Sequence, residues 1–547
     1  MTATAPYRSP VSPDPANHGR ASLGRDGFSP AVRAEWTTFR TVRGWVIGAL
    51  VGVLAMAGLG LLASAGGQSS CQAVGAKGGP SSGSCGGGGI SFLLGPDGEP
   101  VNDSFYFVRQ PLAGDGGVTV RVTALTERVQ PPNSGGSDAT VPGVVPWAKA
   151  GLIIKENLTQ GSAYAAIMVS AGHGVRMQWN YTGDTAGLSG TAGPANPRWL
   201  RLTRSGDVVT GYDSADGTHW FTVGTVTLAG LPSTAQVGLL TASPDYSQHV
   251  GEGFGGGTNS YSSPSQATAV FDHFGTSGGW TAARSRWAGG YVGSPEMSGI
   301  GGYHQAGGQY TVTGQGDIAP IPSGHGGEAD PAVTVSDYLV GTFAGLIALT
   351  VIAALFVTAE YRRGLIRLTF AATPARGRVL AAKSAVVAAV GFLAGLAGAA
   401  VAVLAGEAIT KARGSYAFPV SAMAEARVII GTGIIAALSA VLAMAIAVIM
   451  RRGAAAVAVA IMVIVIPYFL AVFAAVPLSA GDWLLRIMPA AGFALQQPYP
   501  AYGQVSMFYA PFSGYFPLPA WGGLAVLAAW TAAALALAAC LLRRRDA

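Results

Sequence analysis

Three sets of residues in this chain could do chemistry: a charged segment between apolar runs, carboxylates and tryptophans in a polar central region, and three cysteines. The charged segment opens Glu360-Tyr361-Arg362-Arg363-Gly364 and continues through Thr373-Pro374-Ala375-Arg376 to Lys383. One acid among several bases at the end of an apolar run makes no bonds, but it offers charge on which another protein can dock. The bland alternative is a basic loop that only sets orientation across a membrane. Near the start of the chain, Val32, Trp36, Phe39 and Val42 recur at helical spacing while Arg33, Glu35, Arg40 and Arg43 fall elsewhere, which predicts an amphipathic helix over 29–43 lying at a membrane surface.

In the central region Asp103, Glu127, Glu156, Asp184 and Asp213 could supply the two carboxylates that glycoside hydrolysis needs about 5 to 10 Å apart. Acids on a β domain are more often a solvated face. Trp147, Trp179, Trp199 and Trp220 could stack on sugar rings, although large aromatics in such domains more often fill the core. His173, His219, His249, His273, His304 and His325 are scattered without H-E-x-x-H or close Cys/His spacing, so no metal site is expected. No G-x-x-x-x-G-K-[ST] loop occurs, so the chain is expected to be neither an ATPase nor the holder of a cofactor. Cys71 and Cys85 lie amid Gly and Ser. They are expected to form a disulfide closing a loop of about 15 residues, contributing ~3 kcal/mol; two free thiols are the alternative. Cys540 reads as a small apolar packing residue.

The elements that must position these groups are set by composition. Of 547 residues, 11% are charged and 50% hydrophobic. Six runs contain no Asp, Glu, Lys, Arg or His: 44–65, 338–359, 384–406, 428–450, 453–477 and 520–542. At about 1.5 Å per residue each can cross a hydrocarbon core roughly 30 Å thick, and one central charge would cost about 2.5 to 3.5 kcal/mol. The fold expected is therefore an α-helical integral membrane protein of six spans. Ala63-Ser64-Ala65 has the form of a signal cleavage site, but the long apolar run favours a retained helix. Lys and Arg concentrate in 1–43, 360–383, 451–452 and 543–547, while acids outnumber bases in 66–337. Both termini are then cytoplasmic, and the net charge of +6 reports orientation and requires no nucleic-acid partner.

Residues 1–28 read as a disordered tail and 66–89 as a Gly-rich linker. From 90 to 274 period-two patterns such as Val118 to Leu125, separated by turns such as Ser205-Gly206-Asp207, predict an inserted all-β jelly-roll or sandwich domain. Residues 275–337 read as a Gly-rich extension with one strand near Gln309 to Thr313, and 478–519 as a segment rich in aromatics and Pro that could re-enter the membrane.

The loop 360–383, with Glu360, Gly364, Thr373, Pro374, Arg376 and Lys383 at their spacing, resembles the ABC-2 class of transporter permeases, and Arg33 to Arg43 looks like their amphipathic entry helix. Residues 142–152, 211–220 and 237–240 resemble concanavalin-like, laminin-G-like jelly rolls. The first resemblance implies a permease subunit in a bacterial cell membrane, an exporter, paired with a second permease copy or homologue. ATP and Mg would sit on a separate cytoplasmic ATPase docked on the 360–383 loop, with lipid around the spans. The second implies cell-wall glycan or a protein as partner of the inserted domain. The rival reading is a membrane-anchored carbohydrate-binding or glycosidase-like protein.

Overall fold

The computed structural model describes residues 28–66, 73–74, 80–81, 93–130, 140–250, 259–282, 287–294, 300–322, 333–364, 375–413, 417–473, 475–505, 509–511 and 514–544. They form a helical part and a β-sandwich inserted into it. The helices are α1 (Phe28–Thr41), α2 (Arg43–Gly66), α3 (Val335–Tyr338), α4 (Thr342–Arg362), α5 (Arg376–Ala412), α6 (Ala422–Met450), α7 (Gly453–Ile464), α8 (Ile466–Val472), α9 (Leu478–Ile487) and α10 (Ala520–Arg544). Six helical stretches are long and apolar enough to cross a membrane, α3 with α4 and α7 with α8 each counting as one. The break between α7 and α8 is caused by Pro467 in the first turn of α8, which cannot donate to the preceding turn.

Close helix packing rests on small residues. A Cβ on Gly60 would lie 2.0 Å from the Tyr338 carbonyl oxygen, and one on Gly341 would lie 2.2 Å from that of Met56, so α2 crosses the α3–α4 junction backbone to backbone. Gln496, in the 3₁₀ turn Pro489–Gln496, donates to Thr342 Oγ1 (3.1 Å) and Thr432 Oγ1 (2.8 Å), pinning that turn to α4 and α6.

The sandwich contains two antiparallel sheets. One has the order Gly183–Ala186, Gly174–Trp179, Tyr164–Ser170, Lys149–Lys155, Thr234–Ala242, Phe105–Ala113, Ala288–Val292. The other runs Phe221–Thr227, Val208–Ser214, Arg198–Ser205, Gly116–Val129, Ser265–Gly278, Gln309–Gly314, Gly302–Ala306, with Val141–Pro142 added to Gly116–Val129. Alternation puts Leu200, Leu202 and Val209 into the core between the sheets, facing Ile154, Ile167 and Met177. The strand expected near 309–313 is an inner member of the second sheet, and Ala288–Val292 edges the first, so the sandwich extends well past residue 274.

The outer face of the first sheet is also covered. Strands Val101–Asp103 and Ile318–Pro320 pair with each other, and Val101 and Ile318 pack over Ile153, Ala166 and Met168. Strands 149–155 and 164–170 are in consequence buried on both faces. Two buried ion pairs fasten this layer: Lys155 Nζ to Asp103 Oδ2 at 2.8 Å, and Lys149 Nζ to Asp317 Oδ1 at 2.7 Å. Asp103 Oδ2 also accepts from Tyr181 OH (2.8 Å) and the Gly161 N–H (2.9 Å). The sandwich touches the helical part through Gln504, whose Nε2 donates to the carbonyls of Tyr181 and Thr182, each at 3.1 Å.

Candidate functional site: a buried Glu-Lys-Glu junction

α1 buries Glu35 and Phe39, four residues apart and therefore on one face, while Trp36 is 42% exposed. Glu35, read from the sequence as lying off the apolar face, is buried beside Phe39 because that side of the helix meets an ammonium group. Lys383, one turn and more into α5, places Nζ 2.7 Å from Glu35 Oε2 and 2.6 Å from Glu360 Oε1 at the end of α4. The side chains are 4% (Lys383), 10% (Glu35) and 15% (Glu360) exposed. Nζ also sits 4.9 Å from the centroid of Phe356, which packs edge-on against Phe39 and Trp45. Three elements that are distant in sequence are thus riveted at a single ammonium. Burial raises the pKa of Glu35 above its usual value, and the Lys383 charge and hydrogen bond oppose that rise.

The reading of Glu360 as a water-exposed docking charge is corrected likewise: one oxygen is held by Lys383 and the other is buried without a hydrogen bond. Charge reversal there would bring two cations together inside the fold. Arg33 and Arg40 on the same helix as Glu35, and Arg362 and Arg363 just after Glu360, are exposed. Gly364 follows α4 at φ 70°, the left-handed position that ends many helices. Arg376 Nη1 donates to the Leu542 carbonyl at 2.7 Å, a cation on the C-terminal carbonyls of α10. Pro374, Thr373, Cys71 and Cys85 lie outside the described residues. Cys540 is free and exposed, on a helix where a packing role had been expected.

The sandwich does not gather its aromatic and acidic candidates into one cleft. Trp147 is buried against His173, ring centroids 4.0 Å apart, and Trp179 packs on the core beside Gly183. Trp199 and Trp220, both half-buried, flank the turn at Gly217: Trp199 packs against Gly217, Trp220 Nε1 donates to the Gly217 carbonyl, and Arg201 stands 3.8 Å over the Trp220 ring. Asp103 is taken by Lys155 and Tyr181, Asp184 by Arg176 and Gln178, and Asp213 by the Leu188 N–H at 2.6 Å. Among the described residues no group of three His, Cys, Asp or Glu could hold a metal ion.

Glu127 differs, lying between core-facing Leu125 and Val129, where burial pushes its pKa up to about 7 from 4.5. An acid whose folded pKa exceeds its unfolded value loses stability for the fold as pH climbs between the two. Glu127→Gln should therefore raise stability by ~1 to 3 kcal/mol at pH 8, after discounting for partial exposure, and by nothing at pH 4. Denaturant unfolding of both proteins at the two pH values, followed by β-sheet circular dichroism, checks this.

No family model matches the chain, and no curated protein matches it. Solved structures do align with part of it. A functionally unknown protein from Saccharomyces cerevisiae aligns over 34% of this chain and 82% of its own, at 14% identity and TM-score 0.21. Scytalido-glutamic peptidase with a transition state analog inhibitor aligns over 40% and 100%, at 7% identity and TM-score 0.23. The GH43 protein BlXynB of Bacillus licheniformis aligns over 31% of this chain and 32% of its own, at 15% identity and TM-score 0.18. Likeness at these scores carries no argument about fold or activity.

Proposed function

We propose that this chain is the permease subunit of an ABC transporter of the ABC-2 class, driven by a separate ATPase that docks where α1, α4 and α5 meet. The carrying observation is the Glu35–Lys383–Glu360 junction. It ties an amphipathic helix to the ends of two long apolar helices, so a push on the exposed arginines beside it moves all three together. Six apolar helical stretches suit a transport path better than an anchor, for which one would do. The lipid-wide apolar faces of α2 and α10, with Leu54 69% and Trp521 66% exposed, leave room for the second permease copy.

Of Glu360, Arg362 and Arg363, the two exposed arginines remain as docking charges in this reading. The double variant Arg362→Glu/Arg363→Glu should cut copurification of the ATPase subunit that this reading requires by about tenfold, with membrane expression unchanged because both side chains are exposed. Asp216→Lys in the sandwich is the matched control. Equal recovery from all three proteins would remove the docking assignment.

A further inference from the structure

The last turn of α10 meets Arg376, so the helix begins at the end of the helical part away from the junction. There a cavity of ≈ 350 Å³ opens where α6 and α10 start, with Gln497, Tyr499, Phe516 and Leu518 among its walls. From α6 it takes Ala424 and Arg427, three residues apart and therefore on one face. Gln497 ties the wall together: its Nε2 donates to the Tyr499 carbonyl at 2.9 Å, and its Oε1 accepts from the Phe516 N–H at 2.9 Å.

Arg427 is anchored on the same residue, its Nη2 donating to the Gln497 carbonyl at 2.6 Å. That bond holds the guanidinium at the cavity wall. The rest of the group is unused: Nε is buried without an acceptor, and Nη1 makes no hydrogen bond among the described residues yet is not closed off as Nε is. None of the residues lining the cavity is Asp or Glu, so no carboxylate there neutralises the cation. The uncharged run 428–450 starts at the next residue, and a half-buried, unpaired charge at that position is a cost that an anion relieves.

The lining also limits which anion fits. Arg427 is its one cation, enough to balance a single negative charge. A guanidinium donates well to phosphate oxygens. Phe516, Leu518 and the prolines beside them offer carbon surface, which a phosphodiester can cover with its ester groups and an inorganic phosphate dianion cannot. We propose that this cavity binds a phosphodiester, its anionic oxygen accepting from Arg427 Nη1 and its ester carbons lying against Phe516 and Leu518. The proposal does not rest on the transport reading, since neither the junction nor an ATPase enters it.

The test uses full-length protein in a neutral maltoside detergent and follows thermal unfolding. Dioctanoyl phosphatidylglycerol should raise the unfolding temperature of wild type, whereas dioctanoylglycerol, with the same tails and no phosphate, should not. Arg427→Gln should weaken the apparent affinity for the phospholipid about tenfold, with Arg486→Gln, at an exposed arginine elsewhere in the helical part, behaving as wild type. If Arg427→Gln is itself less stable, Ala424→Glu decides. It keeps the bond from Arg427 to Gln497 but sets a carboxylate one turn away on the lining face, and the response to the phospholipid should be lost. Dibutyl phosphate separates the sources of the ligand: stabilisation by it at an affinity close to that of the phospholipid assigns the site to a soluble phosphodiester, and stabilisation by the phospholipid alone assigns it to a membrane lipid. Dioctanoylglycerol or octanoate stabilising as much as the phospholipid, or equal responses of wild type and both cavity variants, overturns the proposal.

Discussion

Lys383→Ala should leave Glu35 and Glu360 facing each other in a buried site with no cation between them, at a cost of about 3 to 5 kcal/mol. A domain commonly holds only about 5 to 15 kcal/mol in reserve, so the variant is expected to reach the membrane poorly and to unfold at much lower temperature. Glu35→Gln is expected to be mild, because one carboxylate remains for one ammonium. The charge-free triple variant Glu35→Gln/Lys383→Met/Glu360→Gln should recover most of the stability lost by Lys383→Ala, since replacing a buried ion cluster by neutral groups is often near neutral. Thermal unfolding of the four solubilised proteins measures the series. Lys383→Ala as stable as wild type would mean that the carboxylates are hydrated and the rivet contributes nothing.

The second large effect belongs to the sandwich. Asp103→Leu removes the acceptor shared by the Lys155 ammonium, the Tyr181 hydroxyl and the Gly161 N–H, and the Lys155 side chain is 0% exposed. The stranded cation should cost about 3 to 5 kcal/mol and free strand Val101–Asp103 from the sheet face it covers. Burial already lowers the Lys155 pKa against the opposing pull of Asp103. Lys155 should therefore lose its proton in the variant, and the penalty should shrink as pH rises. Hydrogen exchange across Ile153, Ala166 and Met168 reports the exposure. Protection equal to wild type would place the stability of that layer in its apolar contacts alone.

What could be read before the structure follows physical lines. The six apolar runs are legible because a lipid-facing or bundle-buried helix excludes charge along its whole length, and strands such as Arg198–Ser205 are legible because one face is wet and one dry. Strand Phe105–Ala113 carries no such mark. It is covered on both faces over Phe105 to Val108 and carries Pro111, so no alternation marks it. Strand Ala288–Val292 is Gly-rich and edges its sheet, where propensity says little. The loop motif marks Lys383 and Glu360, but the pairing of Lys383 with Glu35, 348 positions away, has no sequence periodicity to announce it. The spacing of Glu35 and Phe39 was the available signal that the acid turns inward, and the amphipathic pattern of Val32, Trp36 and Phe39 concealed it. The four tryptophans were identified without their surroundings, which separate Trp147 and Trp179 from the Trp199–Trp220 turn.

The backbone contact between Gly60 and Tyr338 has a further consequence for how such a chain is put together. The points from which the sandwich leaves and to which it returns are neighbours in space, so the helical part encloses the whole insertion as a loop whose ends already touch. Closing such a loop grows dearer only with the logarithm of its length, about 0.6 kcal/mol for each doubling. Growth from a dozen residues to some two hundred and seventy is between four and five doublings, about 3 kcal/mol in all, far less than in proportion to length. The crossing therefore acts as a socket: selection can lengthen, exchange or remove the domain seated there while the packing of α2 against α4 stays as it is.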